Sequence, residues 1–124
     1  MAARGAAAGR RAEALAEAHL AARGLKARGR NLRCRFGEID LVMDDADVLV
    51  FVEVRYRRAT TMPGALESVG PAKRRKLTLA AMQYLARHPA EAERPVRFDV
   101  VAIDGRSAGE YTLQWLTDAF RPGD

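Results

Sequence analysis

Apolar residues alternate with charged ones in two neighbouring segments near the middle of the chain. The first, residues 38–44, has the order Glu-Ile-Asp-Leu-Val-Met-Asp, and the second, residues 48–57, is rich in valine and aromatic residues. Both patterns are typical of β-strands, and the acidic residues Asp45 and Asp47 between them favour a tight turn. We therefore predict two antiparallel strands joined by a short polar turn.

Two other segments place apolar residues at helical spacing. The first helix is predicted over residues 10–23, and Gly24 is suited to cap its C-terminal end. The second is predicted over residues 71–87, with Pro71 at the first helical position, where proline is favoured.

The remaining segments complete a predicted α/β fold. We expect an irregular or extended stretch at residues 25–35, a loop at 58–70, and strands at 96–103 and 111–116. This order of helices and strands predicts a mixed central sheet flanked by helices.

Composition narrows the class of protein. A chain of 124 residues with 48% hydrophobic and 30% charged residues is typical of one globular domain. We assign residues 10–118 to that domain, residues 1–9 to a disordered basic tail and residues 119–124 to a short C-terminal tail. No apolar run approaches the length of a transmembrane helix, residues 1–11 lack the apolar stretch of a signal peptide, and the lone Cys34 fits a reducing compartment, so we expect a cytoplasmic protein without membrane contact.

The distribution of charge is more informative than the net charge of +5. Residues 36–54 contain six carboxylates and neither Lys nor Arg. The preceding residues 1–35 contain nine Lys and Arg residues and two carboxylates. The following residues 55–76 contain seven Lys and Arg residues and one carboxylate. Clustered cations favour nucleic acid through phosphate contacts, although an Arg-rich surface without a ligand is the alternative.

The predicted turn brings two carboxylates together. If Asp45 pairs with Val48, Asp40 lies directly opposite Glu53 on the neighbouring strand. Side chains opposite each other in an antiparallel pair are about 5 Å apart at Cβ, and two like charges there are destabilising unless they are neutralised. A divalent cation would neutralise them.

The same register places Glu38 opposite Arg55, where the two side chains form either part of the site or a cross-strand ion pair. It also puts all four charged side chains on one face of the sheet. The other face is then lined by apolar residues: Ile39, Leu41, Met43, Val50, Val52 and Val54.

Each predicted helix adds one charged group. Glu13 lies at the margin of the apolar stripe of the first helix, from which it can reach the sheet. Lys73 lies near the N-terminus of the second helix, where the helix dipole favours an anion. A site built only from Asp and Glu oxygens suits Mg²⁺ or Mn²⁺ and not zinc.

These motifs resemble the YraN family of small bacterial proteins over roughly residues 9–104. The resemblance rests on Gly-Glu-Ile-Asp at 37–40, Phe-Val-Glu-Val-Arg at 51–55 and Arg-Phe-Asp-Val-Val at 97–101, together with Glu13, Asn31 and Lys73. That family is regarded as a distant relative of archaeal Holliday-junction resolvases. The resemblance therefore implies a restriction-endonuclease-like core.

The resemblance also implies roles for individual residues. Glu13, Asp40 and Glu53 match the metal-binding acids, with Asp40 and Glu53 holding Mg²⁺ or Mn²⁺ and Glu13 assisting. Arg55 occupies the position at which the superfamily usually has a catalytic Lys. Arg stays protonated and cannot act as a base, although it can still orient water or stabilise charge. Asp99 matches the family pattern in a role that is expected to be structural.

The expected activity is metal-dependent endonuclease cleavage of DNA, in preference to RNA, with structured or branched DNA as the substrate. A homodimer is expected, because a junction must be cut in two strands. The alternatives are a nucleic-acid-binding module on a weakened nuclease fold, and an interaction protein with an acidic partner. The residues expected to track the phosphate backbone are Arg57, Arg58, Lys73, Arg74, Arg75 and Lys76.

Overall fold

The computed structural model describes residues 2–58, 64–106 and 109–122, with side chains from Ala8 onward. Residues 59–63 of the predicted loop, and Met1 and residues 123–124 of the predicted tails, lie outside the described residues. The helices and strands, in chain order, are α1 (Ala2–Ala21), β1 (Lys26–Cys34), β2 (Gly37–Asp45), β3 (Val48–Arg58), α2 (Pro71–Arg87), β4 (Val96–Gly105) and β5 (Tyr111–Phe120).

The described strands form one sheet in the order β1-β2-β3-β4-β5. Strands β3 and β4 are parallel, and the other neighbours are antiparallel. A parallel pair needs a crossover connection, and the segment from β3 to β4 supplies it through α2. The predicted α/β fold with a mixed sheet flanked by helices is confirmed.

The two helices pack against separate apolar clusters of the sheet. Ala12, Ala16 and Leu20 of α1 pack on one cluster, and Leu77, Ala80 and Ala81 of α2 pack on the other. Strand β3 contributes to both, which explains why residues 49–52 form a continuous apolar run. The strand residues packed with α1 are Leu41, Met43, Val50, Val52, Val101 and Ile103, and those packed with α2 are Ile39, Val42, Leu49, Phe51, Phe98 and Phe120.

The start of α1 and the end of β5 differ from the prediction. Helix α1 begins at Ala2, so residues 2–9 continue the helix instead of forming a disordered tail, as their high alanine content favours. Strand β5 continues to Phe120, which is buried and stacks on Phe98 with ring centroids 4.8 Å apart, so the predicted C-terminal tail begins too early. Residues 26–34 form the edge strand β1, which agrees with the extended alternative predicted for this stretch.

The predicted register of β2 and β3 is confirmed, but the ladder is shorter than expected. Asp45 pairs with Val48, and the pairing continues only as far as Leu41 with Val52. Beyond that point β2 stays paired with β1, while β3 stays paired with β4. The two strands therefore separate beside Asp40.

The alternation of side chains along β2 also changes at this separation. Leu41 packs on the α1 side, whereas Ile39 packs on the α2 side, so the prediction that both line one face is wrong. Asn31 of β1 has φ 51° between the pairs Arg30–Leu41 and Leu32–Ile39. This left-handed conformation interrupts the regular pleat at the position that faces Asp40.

A candidate carboxylate centre at the separation of two strands

Asp40 lies where β2 and β3 separate. Its Oδ2 accepts a hydrogen bond from the backbone N–H of Val54 at 2.8 Å. The side chain thus serves as an acceptor just past the last main-chain pair of the two strands. This bond fixes the Asp40 carboxylate between β2 and β3, next to Glu53.

Glu53 is the other half of the predicted pair, and its side chain is 3% exposed. One oxygen, Oε2, lies 3.5 Å from Nη1 of Arg55 and 3.5 Å from Nζ of Lys73. The other oxygen, Oε1, is buried and has no hydrogen-bond partner among the residues that the structure describes. Asp40 lies within hydrogen-bonding reach of Glu53, but two ionised carboxylates only accept hydrogen bonds, so this contact supplies no donor.

Burial of this pair disfavours its negative charge. Burial, followed by the charge of Glu53, raises the pKa of Asp40 to about 7. Burial also raises the pKa of Glu53, although Lys73 and Arg55 oppose that rise. The pair therefore needs either a proton or a bound cation to remain neutralised.

Two further acids extend the pair to form a carboxylate cluster. One carboxylate oxygen each from Glu13, Glu38 and Asp40 lies within 4.8 Å of the others. Glu13 reaches the sheet from the edge of α1, as its helical position predicts, and contacts the side chain of Asn31. Burial, followed by the charge of Asp40, raises the pKa of Glu13. We call Glu13, Glu38, Asp40 and Glu53 the carboxylate centre.

Glu38 and Arg55 do not face each other as predicted. Glu38 pairs with Arg33 on β1, with Nε and Oε2 3.4 Å apart. Arg55 instead donates from Nε to Oγ of Ser68 at 2.8 Å, in addition to its contact with Glu53. The reason is that β2 has already separated from β3 at these positions.

Ser68 is a positioning residue that the sequence pattern does not reveal. Its hydroxyl donates to the backbone carbonyl of Ala65 at 2.6 Å and accepts from Arg55. It lies in the loop before α2, 13 residues after Arg55, and no local periodicity links the two residues. The interaction fixes the Arg55 guanidinium beside Glu53.

The predicted phosphate-binding residues occupy different environments. Arg74 donates to the backbone carbonyl of Val69 and lies over the ring of Phe120, so part of its surface is used in packing. Arg57 is half-buried, and its Nε has no hydrogen-bond partner in the described part of the chain. Lys73 contacts Glu53. The exposed members of the set are Arg58, Arg75 and Lys76.

Asp99 belongs to a separate polar cluster. Its Oδ1 accepts from Arg97 Nε and the Asp118 amide, both at 2.9 Å. Its Oδ2 accepts from Trp115 Nε1 at 2.9 Å and from Arg97 at 3.1 Å. These four hydrogen bonds connect β4 to β5 and agree with the structural role expected for this acid.

Comparison with known proteins identifies the family of the chain. The model of the uncharacterised protein family UPF0102, also called the YraN family, matches residues 12–103, which include the Gly-Glu-Ile-Asp and Phe-Val-Glu-Val motifs. The chain belongs to this family. The family resemblance predicted from the sequence motifs is thus confirmed.

Relatives in the UPF0102 family match nearly the whole chain. A UPF0102 protein of Stutzerimonas stutzeri is 53% identical over 112 residues, covering 90% of this chain and 92% of the relative. One from Pseudomonas entomophila is 50% identical over 113 residues, covering 91% and 92%. One from Nitrosococcus oceani is 48% identical over 113 residues, covering 91% of this chain and 90% of the relative.

No helix in the described parts of this chain has the length and apolar character needed to cross a membrane.

Proposed function

We propose that this protein is a metal-dependent nuclease that hydrolyses phosphodiester bonds of DNA, with structured or branched DNA as its substrate. The observation that carries the proposal is that Glu53, whose side chain lies beside Asp40, has a buried oxygen, Oε1, without a hydrogen-bond partner among the described residues. A buried polar atom without a partner costs about 1–3 kcal/mol, and more when it is charged. Such a group in a folded protein calls for an explanation, and a catalytic role or a bound ion is one.

The donor set fits Mg²⁺ or Mn²⁺, because these ions prefer oxygen ligands and the centre offers only carboxylates. Asp40 and Glu53 would hold the ion, with Glu13 assisting from α1. A divalent ion there would act as a Lewis acid on the phosphate and lower the pKa of water. The need to neutralise the buried Glu53 and the adjacent half-buried Asp40 supports this assignment.

Lys73 and Arg55 would hold Glu53 in position and face the scissile phosphate. Both contact the same oxygen of Glu53, so they leave Oε1 to the ion. Arg55 stays protonated and supplies charge, not a base. Lys73 lies at the N-terminal end of α2, where the helix dipole favours an anion. The exposed cations Arg75 and Lys76 extend this positive surface along the same helix.

The alternative is a nucleic-acid-binding module that has lost its chemistry. The observation that favours it is Arg55 itself, because Ser68 and Glu53 hold the guanidinium in the position where a Lys would be expected to handle water. In this case the carboxylate centre would bind a cation without cleavage of the DNA.

Cleavage of a labelled DNA panel tests the proposal. The panel contains a single strand, a duplex, a flap and a four-way junction, each incubated with Mg²⁺ or Mn²⁺. We expect wild type to cut a structured substrate, and Glu53→Gln to lower the rate by roughly 100-fold or more, the scale seen when catalytic groups are removed. Asp47→Asn is the matched control, because Asp47 is an exposed turn acid of the same β2–β3 hairpin.

Two results would contradict the nuclease proposal. The first is cleavage that Glu53→Gln leaves unchanged, since that activity would come from elsewhere. The second is binding of the panel without cleavage by wild type or by Arg55→Lys, which would favour the binding module. Cleavage gained by Arg55→Lys alone would identify Arg55 as the group that suppresses the chemistry.

A further inference from the structure

A groove lies next to the carboxylate centre, between the edge strand β1 and helix α2. Its volume is about 310 Å³, in the lower range of small-molecule sites. Leu32, Ile39 and Ala80 form an apolar part of its lining. Tyr84 and His88 add an aromatic wall, since their rings stack with centroids 4.0 Å apart. The groove therefore offers apolar and aromatic surface that could stack a flat ring.

The rim of this groove is cationic. Arg87 is exposed and forms no ion pair with any residue that the structure describes. The side chain of Arg33 is 88% exposed, and its only ion pair among those residues is the 3.4 Å contact with Glu38. Arg28 is already balanced by Asp44 and Glu91. Two cations on the rim are thus available to an anionic ligand.

The groove and the carboxylate centre are neighbours. Asn31 lines the groove and also contacts Glu13 of the centre. Ile39 lines the groove, and the next residue along β2 is Asp40. Arg33, on the rim, pairs with Glu38 of the centre. A ligand in the groove that carries a phosphate would therefore place that phosphate close to the acids.

We infer that this groove binds one unpaired nucleotide of a DNA strand, with the base on the Tyr84–His88 wall and the flanking phosphates at Arg33 and Arg87. Stacking on an aromatic side chain stabilises a base by about 1–3 kcal/mol and does not require a particular sequence. A paired base is hidden inside the duplex, so only an unpaired or extruded base can enter a groove of this size. The inference rests on the proposed function and specifies the feature of the DNA that is recognised, namely an unpaired nucleotide.

The only cysteine of the chain, Cys34, lines the groove and gives a direct measure of its occupancy. The experiment compares the rate of Cys34 alkylation by iodoacetamide in EDTA, without DNA, with a fully paired duplex and with the same duplex carrying one unpaired adenine. At a DNA concentration ten times Kd, we expect the unpaired adenine to slow alkylation about tenfold, as one-site occupancy requires. The paired duplex at equal occupancy should leave the rate unchanged.

Replacement of the unpaired adenine by 2-aminopurine provides a second measurement that does not depend on the thiol. We expect its fluorescence to be quenched on binding, because the base stacks on Tyr84. Arg87→Gln should weaken binding of this DNA about tenfold, which is the scale of a hydrogen bond to a charged group. Binding of the paired duplex should be unaffected. Arg23→Gln is the matched control, since Arg23 is exposed at the end of α1 and contacts His19, away from the groove.

The results separate this inference from the nuclease proposal. Protection of Cys34 and quenching without any Mg²⁺-dependent cleavage would leave the groove assigned and the nuclease proposal rejected. Two results would overturn the inference and leave the nuclease proposal standing. The first is DNA cleavage together with equal protection of Cys34 by both duplexes. The second is DNA cleavage with neither protection of Cys34 nor quenching of 2-aminopurine. Failure of the protein to bind either DNA would also overturn the inference.

Discussion

Asp99 and Glu53 are both buried acids of the central sheet, but their surroundings differ. Asp99 is 0% exposed and accepts four hydrogen bonds, two at each oxygen. Glu53 is 3% exposed and contacts two cations through one oxygen, whereas the other oxygen has no hydrogen-bond partner within residues 2–58, 64–106 and 109–122. The two acids are similarly buried, but only Asp99 accepts hydrogen bonds at both carboxylate oxygens from the described residues.

The difference indicates which of the two acids belongs to the framework of the fold. The partners of Asp99 come from its own strand and from β5, and they connect the two strands without any ligand. The neighbours of Glu53 include Asp40, whose charge adds to the cost of burial. Burial alone therefore does not distinguish the two acids, whereas an oxygen without a partner among the described residues, beside a second acid, supports the proposed role of Glu53.

The largest expected effect is on stability at Asp99. Asp99→Asn should destabilise the fold by about 3–5 kcal/mol, because it removes the buried charged partner of the half-buried Arg97 and leaves only the more exposed Asp45 to pair with it. Urea denaturation monitored by circular dichroism would measure this loss. Glu53→Gln should cost far less in the metal-free protein, because it removes a poorly satisfied charge. A loss below 1 kcal/mol for Asp99→Asn would show that the four hydrogen bonds do not stabilise the fold as argued.

The next effect is the pH dependence of the metal-free protein. The pKa of Asp40 is about 7 in the folded chain against an ordinary 3.8, so the folded state binds the proton more tightly. The contribution of this group to stability is therefore full below about pH 4 and is lost as the pH rises through 7. The expected loss is at most about 4 kcal/mol, since each unit of pKa shift corresponds to about 1.4 kcal/mol.

Denaturation in EDTA at several pH values, for wild type and Asp40→Asn, measures this contribution. The difference in stability between the two proteins isolates the Asp40 group from other titrating residues. We expect that difference to shift in favour of Asp40→Asn as the pH rises from 4 to 8, because the variant has no charge to bury. Parallel curves for the two proteins would contradict the raised pKa of Asp40.

The smallest effect is expected at Glu17, an acid on the same helix as Glu13. Glu17 forms a two-pronged ion pair with Arg30, whose side chain is 61% exposed. Exposed pairs of this kind contribute about 0–1 kcal/mol, so Glu17→Gln should change thermal stability only slightly. High salt should reduce even that difference. A loss above 2 kcal/mol would mean that this pair is more than a surface interaction.

Local features of the sequence predicted several parts of the carboxylate centre. The short turn at residues 45–47 specifies the register of β2 and β3, because only a few residues separate the paired strands. Helical periodicity placed Glu13 at the margin of α1, from which it reaches Asp40. The position of Lys73 near the start of α2 predicted a contact with an anion, which is Glu53.

Contacts between distant segments were not predictable in the same way. The strand pairing of β1 was not recognised in the sequence, so the ion pair of Glu38 with Arg33 was missed and Arg55 was wrongly assigned as its partner. The face change at Ile39 depends on the left-handed Asn31 of the neighbouring strand. The groove beside the centre forms only when α2 packs against the sheet.

The sequence by itself therefore determined the family, the mixed α/β fold and which acids approach one another, because these depend on local periodicity, a short turn and specific motifs. The tertiary structure alone decided that β2 and β3 separate at Asp40, that Glu53 retains an unpartnered oxygen, and that Asp99 has four donors. The physical reason is that hydrogen bonding and burial of a side chain depend on groups that are distant along the chain and come together only when the sheet and helices pack.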